Sequence, residues 1–197
     1  MITETRYFKI PVPLIDGQKK NSFTKDLFLT ETGEIEVEQG TIWGTNKKLE
    51  SYLLVYCTKG NGIALILDEQ VPVSNDQFFI ISKGDEFKFY SVPDVNTHFL
   101  MAWFDGKKAK QLGKEFSVVR NLIPSVNNMV ANREMLFDEI FNNLSKGFHD
   151  ENLEYVNFCF GHLLATFIYA NKTSDDIADE SNPLIRRAIN YLGKNLN

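Results

Sequence analysis

Histidine and cysteine are scarce in this chain of 197 residues. It has three histidines and two cysteines, and no His-x-His pair occurs. His149 and His162 lie in the helical part of the chain, whereas His98 stands alone in a predicted strand. A metal-dependent enzyme needs several such ligands and a carboxylate that converge on one ion. The composition therefore disfavours a metalloenzyme, and we predict neither a metal nor another cofactor.

Long apolar runs are also missing. The N-terminus has no run of signal-peptide length, and no window reaches the roughly 18 apolar residues that a membrane helix requires. We therefore expect a cytoplasmic protein without membrane contact, in which Cys57 and Cys159 are small buried thiols rather than a disulfide. Acidic residues outnumber basic ones, which gives a formal net charge of −5. This charge argues against nucleic-acid binding by the chain as a whole.

Recognisable catalytic motifs are absent from the sequence. No serine lies in a nucleophile elbow, and no glycine-rich phosphate loop opens a helix. The adjacent Asp85 and Glu86 would point to opposite faces of a strand, so they suit a solvated turn rather than an acid/base pair. These absences favour a protein that is not an enzyme.

Residues 51–106 carry the main positive signal, which is a series of short apolar runs separated by turn residues. Runs of this length and spacing predict an all-β sandwich or barrel. The predicted strands are residues 52–58, 63–67, 71–73, 77–82, 86–92 and 97–104. Upstream, we predict strands at 26–30 and 34–38 around a turn at 31–33. Two prolines predict an extended arm at residues 7–14, which either packs across a barrel mouth or is loosely held.

Helical periodicity replaces the strand pattern after residue 106. A short helix is predicted at 107–116, and two amphipathic helices follow at about 126–146 and 150–171, forming an antiparallel hairpin. The apolar stripe of the last helix is wide, so we predict a homodimer interface there. The interface candidates are Phe160, Leu163, Leu164 and Phe167. In the alternative, the outer face of the barrel covers this stripe.

The last residues differ in composition from the rest of the chain. Residues 173–181 are polar and acidic and predict a linker. Asn182 and Pro183 are typical of a helix start, and the helix that follows is locally basic. A single helix of this length is marginal in water, so we expect it to be the first piece of a further domain.

Four segments, taken in order, resemble the AraC family of transcriptional regulators, in the subgroup common in Bacteroidetes-type bacteria. They are YLLVYCTKGNG at 52–62, NDQFFIISKGDEFKFY at 75–90, FLMAWFDG at 99–106 and NPLIRRAINYLGKNLN at 182–197. The resemblance covers nearly the whole chain. It implies an α+β fold: a cupin-like β-barrel (jelly roll) followed by a helical hairpin. It also implies a cupin-like sensor barrel with its arm (1–106), a helical dimerisation region (107–173), a linker (174–181) and the first helix of a truncated helix-turn-helix domain (182–197).

The resemblance further implies a small-molecule effector, such as a sugar, and DNA binding only through the missing C-terminal domain. Period-two alternation places Phe99, Met101 and Trp103 inside the barrel if Phe104 faces outward. We predict that seven residues bind the effector, with Lys59 assigned by the resemblance alone: Trp43, Lys59, Phe87, Phe89, Phe99, Met101 and Trp103.

Two departures from the family pattern affect the predicted pocket. Phe87 stands where the family often has a histidine, and Met101 stands where a tryptophan is common. Both make the pocket more apolar than a sugar site. Each of the seven residues is also compatible with plain core packing. Two rival functions are therefore a ligand-free dimerisation scaffold and, less favoured, a cupin enzyme.

Overall fold

A computed structural model describes residues 2–66, 69–92, 95–122 and 129–169. The predicted linker and terminal basic helix lie outside the described residues. The strands are β1 (Ile2–Lys9), β2 (Phe28–Val37), β3 (Ile42–Thr45), β4 (Tyr52–Lys59), β5 (Asn61–Ile66), β6 (Glu69–Ser74), β7 (Gln77–Ile81), β8 (Phe87–Ser91), β9 (Thr97–Asp105) and β10 (Arg120–Asn121). The helices are α1 (Val12–Gln18), α2 (Lys107–Glu115), α3 (Met129–Leu144) and α4 (Asp150–Ile168).

The strands form two antiparallel sheets that pack face to face. The larger sheet has six strands in the order β1-β2-β9-β4-β7-β10, and the smaller has four in the order β3-β8-β5-β6. Buried side chains from both sheets, such as Val55 of β4 and Phe89 of β8, meet in one core between them. The α+β fold with a cupin-like β-barrel, predicted above, is confirmed.

The six-stranded sheet is buried on both faces, which explains why its strands are so continuously apolar. Leu53, Val55 and Cys57 of β4 face the smaller sheet, whereas Leu54 and Tyr56 face the helices. In β9, Phe104 packs on the helix side, as the alternation predicts. Each central strand therefore contacts the barrel interior on one face and the helices on the other.

Helix α4 packs on the outer face of this sheet. The four residues predicted for a dimer interface, Phe160, Leu163, Leu164 and Phe167, are all buried there within the chain. Phe160 contacts Phe104 of β9, with ring centroids 5.3 Å apart. The outer face of the barrel thus covers this stripe, and a partner cannot touch these four side chains in this arrangement.

Two upstream predictions need correction. Residues 31–33 do not form a turn, because β2 runs straight through them. A Cβ at Gly33 would lie 3.0 Å from Cδ2 of Tyr7, so the glycine permits close approach of β1 instead of a turn. The arm is also not extended throughout. The first part of the arm belongs to β1, which pairs with β2. Helix α1 then begins at Val12, and the two prolines of the arm lie at its start, where proline is tolerated.

Candidate functional site

Four of the predicted ligand-binding residues form the packed centre of the barrel. Phe87, Phe89, Phe99 and Met101 are 5%, 1%, 0% and 1% exposed. The Phe89 and Phe99 rings meet edge to face, with centroids 4.6 Å apart. Aromatic pairs in this geometry stabilise a core beyond their buried area. The interior between the sheets is therefore filled by side chains at this level.

Trp43 closes one end of this aromatic cluster. Its ring stacks on Phe99 at 5.6 Å and meets the edge of Phe87 at 4.9 Å. Edge strand β3 lies against β8, and Gly44 makes this possible. The φ angle of Gly44 is +142°, and a Cβ at this position would lie 2.3 Å from the carbonyl oxygen of Phe87. Gly44 thus positions Trp43 over the aromatic core, half-buried and facing a cleft.

That cleft, here called the mouth cleft, has a volume of about 530 Å³ and opens at the end of the barrel. Trp43, Phe87 and Trp103 supply its aromatic lining. Trp103 meets Tyr7 of β1 edge to face, at 6.1 Å between centroids. The volume falls within the usual range for small-molecule sites. Three of the seven predicted residues therefore reach a space that a ligand could occupy.

The loop between β3 and β4 forms one rim of the mouth cleft and is held at both ends. The backbone N–H of Lys47 donates to Oγ1 of Thr45 at 2.9 Å. The N–H of Leu49 donates to the carbonyl of Asp85, and the N–H of Gly84 donates to the carbonyl of Leu49, each at 2.9 Å. The loop is therefore fixed to the turn before β8. This rim was not predicted from the sequence.

Charged side chains that line the cleft form ion pairs with each other. Nζ of Lys9 lies 2.7 Å from Oε1 of Glu31, and the hydrogen bond to Glu31 raises the pKa of Lys9. Nζ of Lys83 lies 2.7 Å from Oδ2 of Asp105. Both pairs join neighbouring elements and place fixed charges next to the tryptophans.

Lys59 lies away from the other six predicted residues. It lines a second cleft of about 410 Å³, on the helix side of the six-stranded sheet, together with His98 and Glu134. The register between β4 and β9 shifts between Cys57 and Lys59, so Lys59 pairs with His98 instead of continuing the inward series. Such a bulge moves every following side chain to the other face. The structure does not bring Lys59 to the aromatic cluster.

A chain of polar contacts crosses the second cleft. His98 contacts Oγ1 of Thr58 through Nδ1 at 2.5 Å and Oε1 of Glu34 through Nε2 at 2.8 Å. Arg6 donates from Nε to Glu34 and from Nη1 to Asp138, each at 2.6 Å. Burial raises the pKa of Glu34, but the hydrogen bonds and charges of Arg6 and His98 outweigh it, and the pKa lies below its ordinary value. This network joins β1, β2, β4 and β9 to α3.

Sequence reasoning missed this network because its members are far apart along the chain. His98 and Glu34 are 64 positions apart, and Arg6 and Asp138 are 132 apart. Within the residues that the structure describes, no three histidine, cysteine, aspartate or glutamate side chains gather as a metal site would require. None of the described helices is both long enough and apolar enough to cross a membrane.

The fold and the mouth cleft together define a cupin-type binding domain with helices packed against its larger sheet. Residues 45–154, more than half of the chain, match the family model described as the AraC-like ligand binding domain. The chain belongs to this family. No curated protein sequence matches it.

Solved structures with a similar barrel include three of low sequence identity. A cupin 2 conserved barrel domain protein from Leptotrichia buccalis is 12% identical, over 54% of this chain and 42% of that one, with a TM-score of 0.40. A predicted oxalate decarboxylase from Thermotoga maritima is 11% identical, over 52% and 78%, with a TM-score of 0.40. The cupin domain of an XRE family transcriptional regulator from Enterobacter cloacae is 12% identical, over 52% and 93%, with a TM-score of 0.37. We draw no function from these likenesses.

Proposed function

We propose that this chain is the effector-binding and dimerisation part of an AraC-type transcriptional regulator, and that the effector binds in the mouth cleft. Membership of the AraC-like ligand binding domain family supports the proposal. The observation that carries it is the lining of this cleft by Trp43, Phe87 and Trp103. Aromatic faces beside a few polar groups suit a small molecule. DNA contact is assigned to a separate DNA-binding region, not to the barrel or its helices.

In this proposal the effector acts by preferring one arrangement of the barrel and helices over another, because a ligand shifts an equilibrium only through such a difference in affinity. Strand β9 offers a direct route. Trp103 contacts the mouth cleft, and its neighbour Phe104 packs against Phe160 of α4. The effector is bound and released unchanged, so incubation with a bound metabolite should leave that metabolite chemically intact.

The test is a ligand screen read by two signals. The chain has two tryptophans, and both line the mouth cleft, so intrinsic fluorescence reports on this site. A bound metabolite should change this fluorescence and raise the melting temperature, since it stabilises the native state. Trp103→Phe should weaken binding, whereas Ile63→Ala, a partly exposed residue outside the cleft, should not. A ligand whose binding is unaffected by Trp103→Phe would place the site elsewhere.

Homodimer formation is part of the proposal, but through a different surface of α4 from the buried stripe. Tyr155, Phe158 and Tyr169 are 47%, 62% and 57% exposed and share the helix face opposite the sheet. Phe23 packs on Phe158, with ring centroids 6.2 Å apart, and enlarges this aromatic surface. Exposed apolar patches of this kind mark association sites. We assign a second copy of the chain to it, in line with the family resemblance.

Light scattering tests this assignment. The wild-type protein should be a dimer at micromolar concentration, and Phe158→Glu should produce a folded monomer. Val118→Glu, at an exposed apolar residue outside the helices, is the control and should remain dimeric. A monomeric wild type would contradict the proposal.

A ligand-free dimerisation scaffold is the second candidate, and one observation favours it. Phe87, Phe89, Phe99 and Met101 fill the interior between the sheets, where a deep effector pocket would otherwise lie. The scaffold predicts a stable dimer whose fluorescence and melting temperature respond to no metabolite. The sensor predicts that at least one metabolite changes both.

A further inference from the structure

The mouth cleft is richer in basic than in acidic side chains, although the whole chain has a net charge of −5. Three acidic residues line it, and two of them, Glu31 and Asp105, were described above. Its lysines are Lys9, Lys19, Lys47, Lys48 and Lys83. Five lysines and three acidic residues line the cleft, and Asp16 pairs with one of these lysines from outside the lining, so the excess at this site is one positive charge. A concave site lined mainly by one sign of charge concentrates ligands of the opposite sign.

Three of these lysines already have carboxylate partners. Lys9 and Lys83 pair with acids of the cleft itself. Lys19 pairs with Asp16 at 2.7 Å, on the same turn of chain. These charges are largely neutralised by their partners, so they contribute little to a ligand's binding.

Lys47 and Lys48 are the remaining two, and both are exposed on the anchored rim. Among the described residues, no carboxylate lies within 4.0 Å of either ammonium group. The third acid of the cleft, Glu50, is two residues further along the same loop. Asp85 and Glu86 line a neighbouring cleft with Lys48, yet form no ion pair with it at that distance. Two cations thus stand beside the tryptophans without a fixed counter-charge.

We propose that the effector is a small organic anion with a ring, and this rests on the proposed function of the cleft. The ring lies against Trp43 and Trp103, and the carboxylate or phosphate group is bound by Lys47 and Lys48. Lysine binds such groups as a point charge, and hydrogen bonds to charged groups are stronger than neutral ones. The hydrogen bonds that anchor the rim hold both lysines near the site before a ligand arrives.

Collisional quenching of tryptophan fluorescence tests the charge of the site without a known ligand. Because both tryptophans line the cleft, the ratio of iodide quenching to caesium quenching should be higher for the protein than for free N-acetyltryptophanamide. Lys47→Gln with Lys48→Gln should reduce iodide quenching and leave quenching by neutral acrylamide unchanged. Lys114→Gln with Lys146→Gln removes the same charge from exposed positions outside the cleft and should have no effect. An iodide-to-caesium ratio no higher than that of the free amide would overturn the inference.

Matched pairs of compounds then test the ligand class by calorimetry. Suitable pairs are phenyl phosphate with phenol, benzoate with benzamide, and glucose 6-phosphate with glucose. The charged member of at least one pair should bind about tenfold more tightly or better than its neutral partner. The Lys47→Gln/Lys48→Gln variant should lose that preference, and added salt should weaken it. Comparing the phosphates with benzoate identifies which anionic group is bound.

The possible failures are distinguishable. If neutral compounds bind as tightly as charged ones, the anion inference is wrong and the proposed function stands. If the iodide-to-caesium ratio is not raised, the anion inference is wrong whether or not a compound binds, and the metabolite screen then decides the proposed function.

Discussion

Oδ1 of Asn157 in α4 accepts a hydrogen bond of 2.7 Å from the backbone N–H of Leu29 in β2. This bond lies where the register between β2 and β9 shifts, between Leu29 and Glu31. A strand irregularity leaves backbone groups without a ladder partner, and a buried N–H needs one. Nδ2 of Asn157 also donates to the side-chain oxygen of Gln18 in α1. This buried side chain thus adds hydrogen bonds from α4 to both β2 and α1 beside the apolar contacts of the helix.

Replacing this side chain should destabilise the fold. Asn157→Ala leaves the Leu29 N–H buried and unpaired, which costs about 1–3 kcal/mol. Urea unfolding monitored by circular dichroism measures the loss. Asn142→Ala removes an exposed asparagine from α3 and is the matched control. Equal stability of the two variants would show that Leu29 finds another acceptor.

Two glycines should respond in opposite ways to alanine. A Cβ at Gly62 would lie 2.3 Å from Cζ of Phe89 and 2.4 Å from the carbonyl oxygen of Tyr90. Gly62→Ala should therefore displace the aromatic core and destabilise the protein by about 1–3 kcal/mol, as overpacking does. Gly161 lies inside α4 with nothing within 4 Å of an added Cβ. Gly161→Ala should stabilise by about 0.5–1 kcal/mol.

Urea unfolding of both variants decides this prediction. A stable Gly62→Ala variant would mean that Phe89 can move aside. Space for a deep ligand would then exist in the barrel interior.

Strand and helix patterns in the sequence predicted most of the barrel and its helices, because strands buried on both faces appear as short apolar runs between turn residues and the helices show a helical period. The inward side chains of β9 and the outward Phe104 are examples. Two local structural features could not be predicted from the sequence. Gly33 resembles a turn residue, although it serves close strand packing, and sequence alone does not separate these uses. Nothing in the local sequence marks the bulge at Thr58, so the face of the sheet on which Lys59 lies could not be predicted.

The candidate site was predicted only in part, for a related reason. Alternation identifies inward residues but does not distinguish a filled core from an open cleft. Phe89 and Phe99 follow the same pattern as Trp103, yet only Trp103 reaches the cleft. The rim at Lys47 and Lys48 is anchored by hydrogen bonds that join distant parts of the chain, so its position beside the cleft could not be predicted.

The contact between Arg6 and Glu34 should make stability depend on acidity. The pKa of Glu34 in the folded protein lies below its ordinary value of 4.5, so the unfolded chain binds the proton first. Its stabilising contribution is therefore complete above pH 4.5 and is lost as the pH falls through the lower folded value. Arg6→Met removes the guanidinium that lowers this pKa, so the variant should be less stable than the wild type at neutral pH and should lose less stability as the pH falls below 4.5.

Urea unfolding at a series of pH values measures the effect. Lys20→Met removes a positive charge from an exposed residue elsewhere and is the control, with an acid profile that should follow the wild type. Superimposable profiles for Arg6→Met and wild type would show that His98 alone is sufficient to keep Glu34 ionised.

The two free cysteines should differ sharply in reactivity. Cys57 is fully buried, and burial raises the pKa of its thiol to about 12. Only the thiolate reacts with disulfide reagents, so native Cys57 should be inert at neutral pH.

Cys159 is half-buried on α4, and burial also raises the pKa of its thiol, but a reagent can reach it. An aromatic disulfide reagent should therefore label one thiol slowly in the native protein and both after unfolding. Cys159→Ala should abolish native labelling, and Cys57→Ala should leave it unchanged. Rapid labelling of native Cys159→Ala would mean that the barrel opens at β4 without global unfolding, which would argue against a rigidly filled interior.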